Sequence, residues 1–378
     1  MDPIVIIGSG LAGFTLAREF RKLDAATPLV LVTADGGDFY SKPMLSNAFA
    51  QGKAPQQLVN TPAATMAEQL AITLTSHARV ERIRPKDREI DTASGTLRYS
   101  KLVLAVGADP IRLPLAGDAA AEVLSVNDLA DYAIFRQHIE GKSRVAIIGA
   151  GLIGCEFAND LAGAGFAVTV VDPSPQPLAS LLPPEAGQQL VEPLAHLGVD
   201  WHFGTSVEAV DHQGSSYRLT LKNGDIIDSE CVLSAVGLRP RTTLAQEAGL
   251  AINRGIVADK TLRTSDEHIY ALGDCVEIDG QVRPYVLPIM QAAKALARTL
   301  AVEQTEVVFP PMPVAVKTPA WPVVVQPVAR DAVGQWQIQE QNDGIRMIFV
   351  DGNQRITGFA LTGKQTSARS EMIKLLAA

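Results

Sequence analysis

Gly8-Ser9-Gly10-Leu11-Ala12-Gly13 follows the apolar run Ile4-Val5-Ile6-Ile7, and Gly149-Ala150-Gly151-Leu152-Ile153-Gly154 follows Val145-Ala146-Ile147-Ile148. Each glycine turn therefore stands between a strand-like run and a stretch with helical apolar spacing. In that context each glycine has a task. The first makes a tight turn, the second lets the backbone approach a pyrophosphate, and the third lets helix and strand pack, while free N–H groups at the helix start face the anion. One such turn is a weak signal, because glycine-rich turns also arise for structural reasons alone. Two in one chain predict two dinucleotides, held so that electrons pass between them.

Working outward, the pattern around the turns repeats. Residues 29 to 32 predict a strand ending at Thr33, and residues 168 to 171 one ending at Asp172, so each turn opens a βαβ unit. Leu102-Val103-Leu104-Ala105-Val106-Gly107-Ala108-Asp109-Pro110 is echoed by Cys231-Val232-Leu233-Ser234-Ala235-Val236-Gly237-Leu238-Arg239-Pro240. Both read as buried strands running into crossovers from one nucleotide domain to the other. Residues 211 to 230, with alternation at 217–221 and the turn Asn223-Gly224-Asp225, predict an antiparallel hairpin. Beyond residue 305 a Pro-rich stretch gives way to β-prone segments around Trp336 and Ile348 and a short amphipathic helix near Lys374.

The expected fold is α/β, with two three-layer Rossmann-like domains and a small C-terminal α+β domain. Its expected parts are 1–110 and 238–310 for the first nucleotide, 111–237 for the second, and 311–378 at the end. A length of 378 residues with 47% hydrophobic residues accommodates them. A net charge of −8 argues against nucleic acid as the main partner. No leader-like start and no run of eighteen apolar residues is seen, so a cytoplasmic protein without membrane insertion is expected. Cys155, Cys231 and Cys275 are too scattered for a disulfide framework, and no metal-ligand spacing appears.

Glycine turn, Ala-Val-Gly crossover, second glycine turn followed by Glu156, Val-Gly crossover, then Thr264-Ser265-Asp266-Glu267-His268-Ile269-Tyr270-Ala271-Leu272-Gly273-Asp274 resembles the motif order of the FAD-dependent pyridine nucleotide oxidoreductases along the whole chain. Within that superfamily, Tyr40-Ser41-Lys42-Pro43-Met44-Leu45-Ser46 and Val316-Lys317-Thr318-Pro319 resemble the rubredoxin reductases, including those serving nitric-oxide-reducing flavorubredoxins. The resemblance implies that Gly8, Gly10, Leu11, Ala12 and Gly13 hold the FAD pyrophosphate and that Gly149, Gly151 and Gly154 hold NADH. It implies that Asp274 binds the FAD ribitol, that backbone at Val286 meets the isoalloxazine, and that Val80, expected to end a strand from His77, touches adenine. Asp172, at the distance where a carboxylate accepts both ribose hydroxyls, favours NADH over NADPH; a helix N-cap before Pro173 is the competing role. The usual acid of the FAD site is replaced by Thr33, with Asp35 two residues on.

Glu156, Lys42 beside Pro43, and Lys317 are the residues the resemblance implies around the flavin ring. An ammonium stabilises the negative charge of reduced flavin, and a carboxylate near N5 holds or relays a proton. Glu156 is expected in the first turn of its helix, where the dipole alone would also favour it. Related ferredoxin reductases carry lysine where Asn47 stands here, which leaves Lys42 or Lys317 as the partner of Glu156. No CxxC or CxxxxC pair exists to relay electrons, so they must leave the flavin directly for an external acceptor. The expected activity is NADH:rubredoxin oxidoreduction. The alternatives are a ferredoxin reductase of an oxygenase system, a flavorubredoxin reductase, and a non-enzymatic redox sensor resembling apoptosis-inducing factor. Arg239, Arg241 and Lys364 are candidate cations for docking an acidic rubredoxin.

Overall fold

A computed structural model describes residues 1–329 and 331–376. The chain forms two compact units, each assembled from separated segments: Met1–Lys42, Gln56–Asp109 and Leu238–Pro310 in one, Pro43–Pro55, Pro110–Gly237 and the described residues from Pro311 on in the other.

In the first unit, five parallel strands lie in the order Ile269–Ala271, Lys101–Leu104, Ile4–Ile7, Leu29–Val32, Thr73–Thr75. Ile4–Ile7 is flanked on both sides and wholly buried, which is why it reads as an unbroken apolar run rather than an alternating one. The helices Leu11–Arg21 and Val286–Ala301 supply Phe14, Leu16, Phe20, Ile289, Ala293 and Leu296 to the same core. A three-stranded antiparallel sheet of Val80–Arg84, Glu89–Thr92 and Gly95–Arg98 completes the unit.

In the second unit, four parallel strands run Val199–Phe203, Ala167–Asp172, Arg144–Ile148, Cys231–Ser234. The helix Leu152–Gly163 buries Cys155, Phe157, Ala158 and Leu161 against them. The C-terminal residues form a five-stranded antiparallel sheet in the order Val314–Val316, Val323–Gln326, Ile356–Thr362, Ile345–Asp351, Gly334–Gln341, with Met372 of the helix Arg369–Leu376 in the core beneath Phe359 and Leu361. The fold is mixed α/β with two Rossmann-type sheets and a C-terminal sheet and helix.

Three local expectations are corrected. The hairpin at 211 to 230 is a meander of Val207–Gln213, Ser216–Leu221 and Ile226–Ser229, because Gly214 makes a positive-φ turn ahead of the one at Gly224. Val80 begins a strand rather than ending one. His77, at φ +53°, breaks the chain after Thr73–Thr75, and residues 77 and 78 instead hydrogen-bond the backbone of Asp35 and Thr33. Glu156 is the fifth residue of its helix and so lies past the first turn, since Gly151 is the N-cap.

Candidate functional site

The two glycine turns have one geometry. Gly8 and Gly149 sit at φ +114° and +107°, a region open to glycine and costly for other residues. A Cβ on Gly13 would stand 2.0 Å from the Gly8 carbonyl oxygen, and one on Gly154 would stand 1.9 Å from that of Gly149. Helix and turn can approach this closely only without a side chain. A Cβ on Gly10 or Gly151 would instead meet nothing within 4 Å. That open side is where an incoming pyrophosphate needs the backbone bare. Gly10 and Gly151 are also the N-caps of their helices, neither helix start has a side-chain cap, and neither first turn holds an acid, so the leading N–H groups are left for an anion. Leu11 and Ala12 occupy the first two helical positions of the first turn.

Around the first turn, Ser9 Oγ and Thr33 Oγ1 both donate to Asp35 Oδ1, at 2.9 and 2.7 Å, and the Gly37 amide donates to the same oxygen at 2.9 Å. Asp35, two residues beyond the usual position, thus places a carboxylate beside the turn through Ser9 and Thr33. The backbone bond from Ala78 N to Thr33 O, at 2.8 Å, brings the strand start at Val80 to this end of the sheet. Asp274 lies three residues past Ala271, and Gly273, at φ +88° with its would-be Cβ 2.8 Å from that of Ala12, lets this segment close on the turn. Burial raises the Asp274 carboxyl above the usual range, and the Lys42 ammonium pulls it back. Val286 is the first residue of a helix whose N-cap, Tyr285, offers no side-chain cap either, so the backbone expected at the isoalloxazine is another uncapped helix start.

In the second unit, Asp172 Oδ2 accepts from the Ala150 amide at 2.6 Å and Oδ1 from Ser174 N at 2.7 Å. No helix starts at Pro173, so the helix-capping role is not seen; the carboxylate instead caps a bend at Ser174 and is fastened to the glycine turn itself.

The partner of Glu156 is resolved: Lys317 Nζ is ion-paired with Glu156 Oε2, and the Lys317 amide donates to Oε1 at 3.0 Å. Ser46 Oγ donates to Oε2 at 2.5 Å. Glu156 is only 1% exposed, and these three donors satisfy its buried carboxylate oxygens. Lys42 faces Asp274 in the first unit. Ser46 was missed by sequence reasoning, as were Asn159 and Asp160, although Glu156, Asn159 and Asp160 stand at i, i+3 and i+4, one face of an otherwise apolar helix. Asn159 Oδ1 accepts from the Ala320 amide at 3.1 Å, and Asp160 accepts from the amides of Phe49 and Ala50.

The family model described as pyridine nucleotide-disulphide oxidoreductase matches residues 2–298, and that of a rubredoxin binding C-terminal domain matches residues 306–376. The chain belongs to the pyridine nucleotide-disulphide oxidoreductase family. It is 50% identical to the rubredoxin-NAD(+) reductase of Alcanivorax borkumensis, over 100% of this chain and 99% of that protein. It is 47% identical to the rubredoxin-NAD(+) reductase of Acinetobacter baylyi, over 96% of this chain and 94% of that protein. Among solved structures, the ferredoxin reductase for the CYP199A2 system from Rhodopseudomonas palustris superposes with a TM-score of 0.88 at 26% identity, over 96% of this chain and 91% of that one. The NADH:rubredoxin oxidoreductase from Clostridium acetobutylicum, at 22% identity and a TM-score of 0.82 over 99% and 94%, shares the fold.

The family's name includes a disulphide, but all three cysteines here are free and buried. Burial pushes the Cys231 thiol up to about 12 and Cys275 to about 11, and Cys155 upward as well, so none is a ready thiolate. Cys275 Sγ is spent on the carbonyls of Leu104 and Leu272.

Proposed function

We infer that this chain is an NADH:rubredoxin oxidoreductase that uses FAD and no protein disulfide. The observation that carries the inference is the pairing of the oxidoreductase family match with a rubredoxin-binding C-terminal domain, in a chain 50% identical to a rubredoxin-NAD(+) reductase along its full length. Bound FAD supplies the conversion of a two-electron hydride into single electrons, which is what a one-iron acceptor takes.

The residues fit that cofactor. The bare backbone at Gly10, between the constrained Gly8 and Gly13, suits the FAD pyrophosphate, and the Asp35–Thr33–Ser9 network supplies acceptors for its ribose in place of the usual acid. Val80 would meet adenine, Asp274 would bind the ribitol, and the helix start at Val286, with its uncapped N–H groups, and the Lys42 ammonium beside Pro43 would stabilise negative charge on the flavin. Glu156, held in one orientation by Lys317, would supply the proton-accepting carboxylate for the flavin where hydride arrives. Gly149, Gly151, Gly154 and Asp172 hold NADH. Residues 1–110 with 238–310, less the segment 43–55 that packs in the second unit, then form the FAD domain, 111–237 the NADH domain, and 311–378 the acceptor-binding domain.

No helix among the described residues is long and apolar enough to cross a membrane, which is compatible with work in the cytoplasm. A reductase named for flavorubredoxin from Aeromonas hydrophila is 40% identical, so rubredoxin fused to a larger enzyme is the second acceptor to try. The test is stopped-flow: NADH should bleach the bound flavin, and rubredoxin should then restore its absorbance as the iron is reduced. Flavin reduced by NADH but indifferent to rubredoxin, free or fused, would overturn the acceptor and leave the donor half intact.

A further inference from the structure

Two carboxylates one helical turn apart grip the same stretch of chain. On the helix Leu152–Gly163, Glu156 takes the Ser46 hydroxyl, and Asp160 takes two consecutive amides further along the segment: Phe49 N donates to Oδ2 at 2.8 Å and Ala50 N to Oδ1 at 3.0 Å. Asp160 is 3% exposed. A buried carboxylate is an expensive way to hold a loop, and an apolar side chain would pack as well if packing were its only task. Packing is already supplied. Phe49 sits edge-on to Phe135 and Phe166, with Arg136 over its ring at 4.3 Å, and Arg136 also donates to the Lys53 carbonyl at 2.9 Å. What the carboxylate adds is direction. Two acceptor oxygens on consecutive amides fix the rotation of the backbone at residues 49 and 50, and so where the turn Lys42–Asn47 ends and where Ser46 points.

We propose that Asp160 is a positioning residue for electron transfer, acting through the 46–50 segment to hold the Ser46 hydroxyl on the Glu156 carboxylate. The proposal rests on the reading that Glu156 faces the flavin. Burial pushes the Asp160 carboxyl upward, and the amides of Ala50 and Phe49, then the charges of Arg136 and Lys317, pull it back.

The test uses the full chain with Asp160→Asn, Ser46→Ala, the double variant and Glu156→Gln. In flavin-free protein, Asp160→Asn should speed exchange of the Phe49 and Ala50 amides, followed by NMR, by about tenfold or more, because one acceptor oxygen becomes a donor. In the FAD-loaded enzyme, Asp160→Asn and Ser46→Ala should each slow single-turnover flavin reduction by about tenfold without changing NADH affinity. The double variant should be no slower than either, as for residues acting through one another. Amides freed while reduction keeps its wild-type rate would overturn the proposal, as would effects that multiply. Should Asp160→Asn fail to fold, Asp160→Ser keeps one acceptor and takes its place. If both collapse, Asp160 is a folding residue and the proposal falls. Glu156→Gln separates the two ideas: wild-type reduction there removes the reading of Glu156, whereas slow reduction there with normal rates at Asp160→Asn removes only the role of Asp160.

Discussion

Gly10 and Gly13 stand three residues apart and are held to glycine for opposite reasons. At Gly13 the space is already filled by the Gly8 carbonyl, so Gly13→Ala must push helix and strand apart, at about 1–3 kcal/mol as for other overpacked sites. At Gly10 the space is empty and φ is −70°, so Gly10→Ala should leave the flavin-free chain within about 1 kcal/mol of wild type. It should nonetheless weaken FAD by tenfold or more, since the methyl occupies ground needed by the pyrophosphate. Melting of the apo-proteins and FAD titration separate the two. A Gly10→Ala variant that binds FAD normally would remove this cradle from the cofactor site. Asp172 allows a parallel test of nucleotide choice. Asp172→Asn keeps an oxygen for the Ala150 amide while removing the charge that repels a 2′-phosphate, so the ratio of kcat/KM for NADH over NADPH should drop by about tenfold or more. An unchanged ratio would place the discrimination elsewhere.

Short strands here depend on buried polar anchors as well as on apolar packing. Val276–Ile278 begins two residues past Asp274 and pairs with Ile256–Ala258. Glu277, buried within it, accepts from Asn253 Nδ2 and Arg254 N at 2.8 Å and from Gly255 N at 3.0 Å. Burial works to raise its carboxyl, but these donors outweigh it and hold the group below the ordinary value of 4.5. A depressed folded value means stabilisation that is present above the unfolded value and lost as pH falls through the folded one. Glu277→Gln should therefore cost about 1–2 kcal/mol at pH 7, and the gap to wild type should close as pH falls below about 4. Urea melts across that range are the check. A gap that persists unchanged at pH 3 would mean that the charge contributes nothing.

Across the whole molecule, a chain of net charge −8 must meet its protein partner through local features. Two cations expected to form a docking patch already have partners: Arg241 is paired with Asp109 at 2.6 Å and Lys364 with Asp343 at 2.8 Å. Arg239 lies exposed on the strand Leu238–Pro240. Redox interfaces are small and electrostatics act mainly on their encounter rate, with screening over roughly 10 Å at 0.1 M salt. Raising ionic strength tenfold should thus slow rubredoxin reduction by about threefold or more, while NADH reduction of the flavin changes by less than about twofold. Stopped-flow traces of both half-reactions measure this. Equal sensitivity, or none, would point to apolar docking and leave the activity untouched.

The parallel strands, both glycine turns and the two-sheet plan were legible because a buried strand followed by a glycine turn and a helix leaves a local pattern, set by period and by backbone sterics. The composition of the C-terminal region likewise marked it as β-rich with a terminal helix. What no local pattern carried was which separated segments meet. Lys42 and Lys317 looked equivalent beside their prolines, and only the packing of residues 317–320 and 46–50 onto one face of the helix Leu152–Gly163 made Lys317 the partner of Glu156. Segment 43–55 reads as part of the first nucleotide domain, yet its aromatic and hydrogen-bonding partners, Phe135, Phe166, Arg136 and Asp160, lie 80 or more residues on, in the second unit. Asp35 and Ser9 form a network around Thr33 because adjacent parallel strands bring their ends together. Residue type and spacing decided the cofactor class, since glycine geometry is a property of a few consecutive residues. The set of charges and hydroxyls around Glu156 was decided by tertiary structure, since a buried carboxylate is satisfied by whatever donors the fold delivers to it.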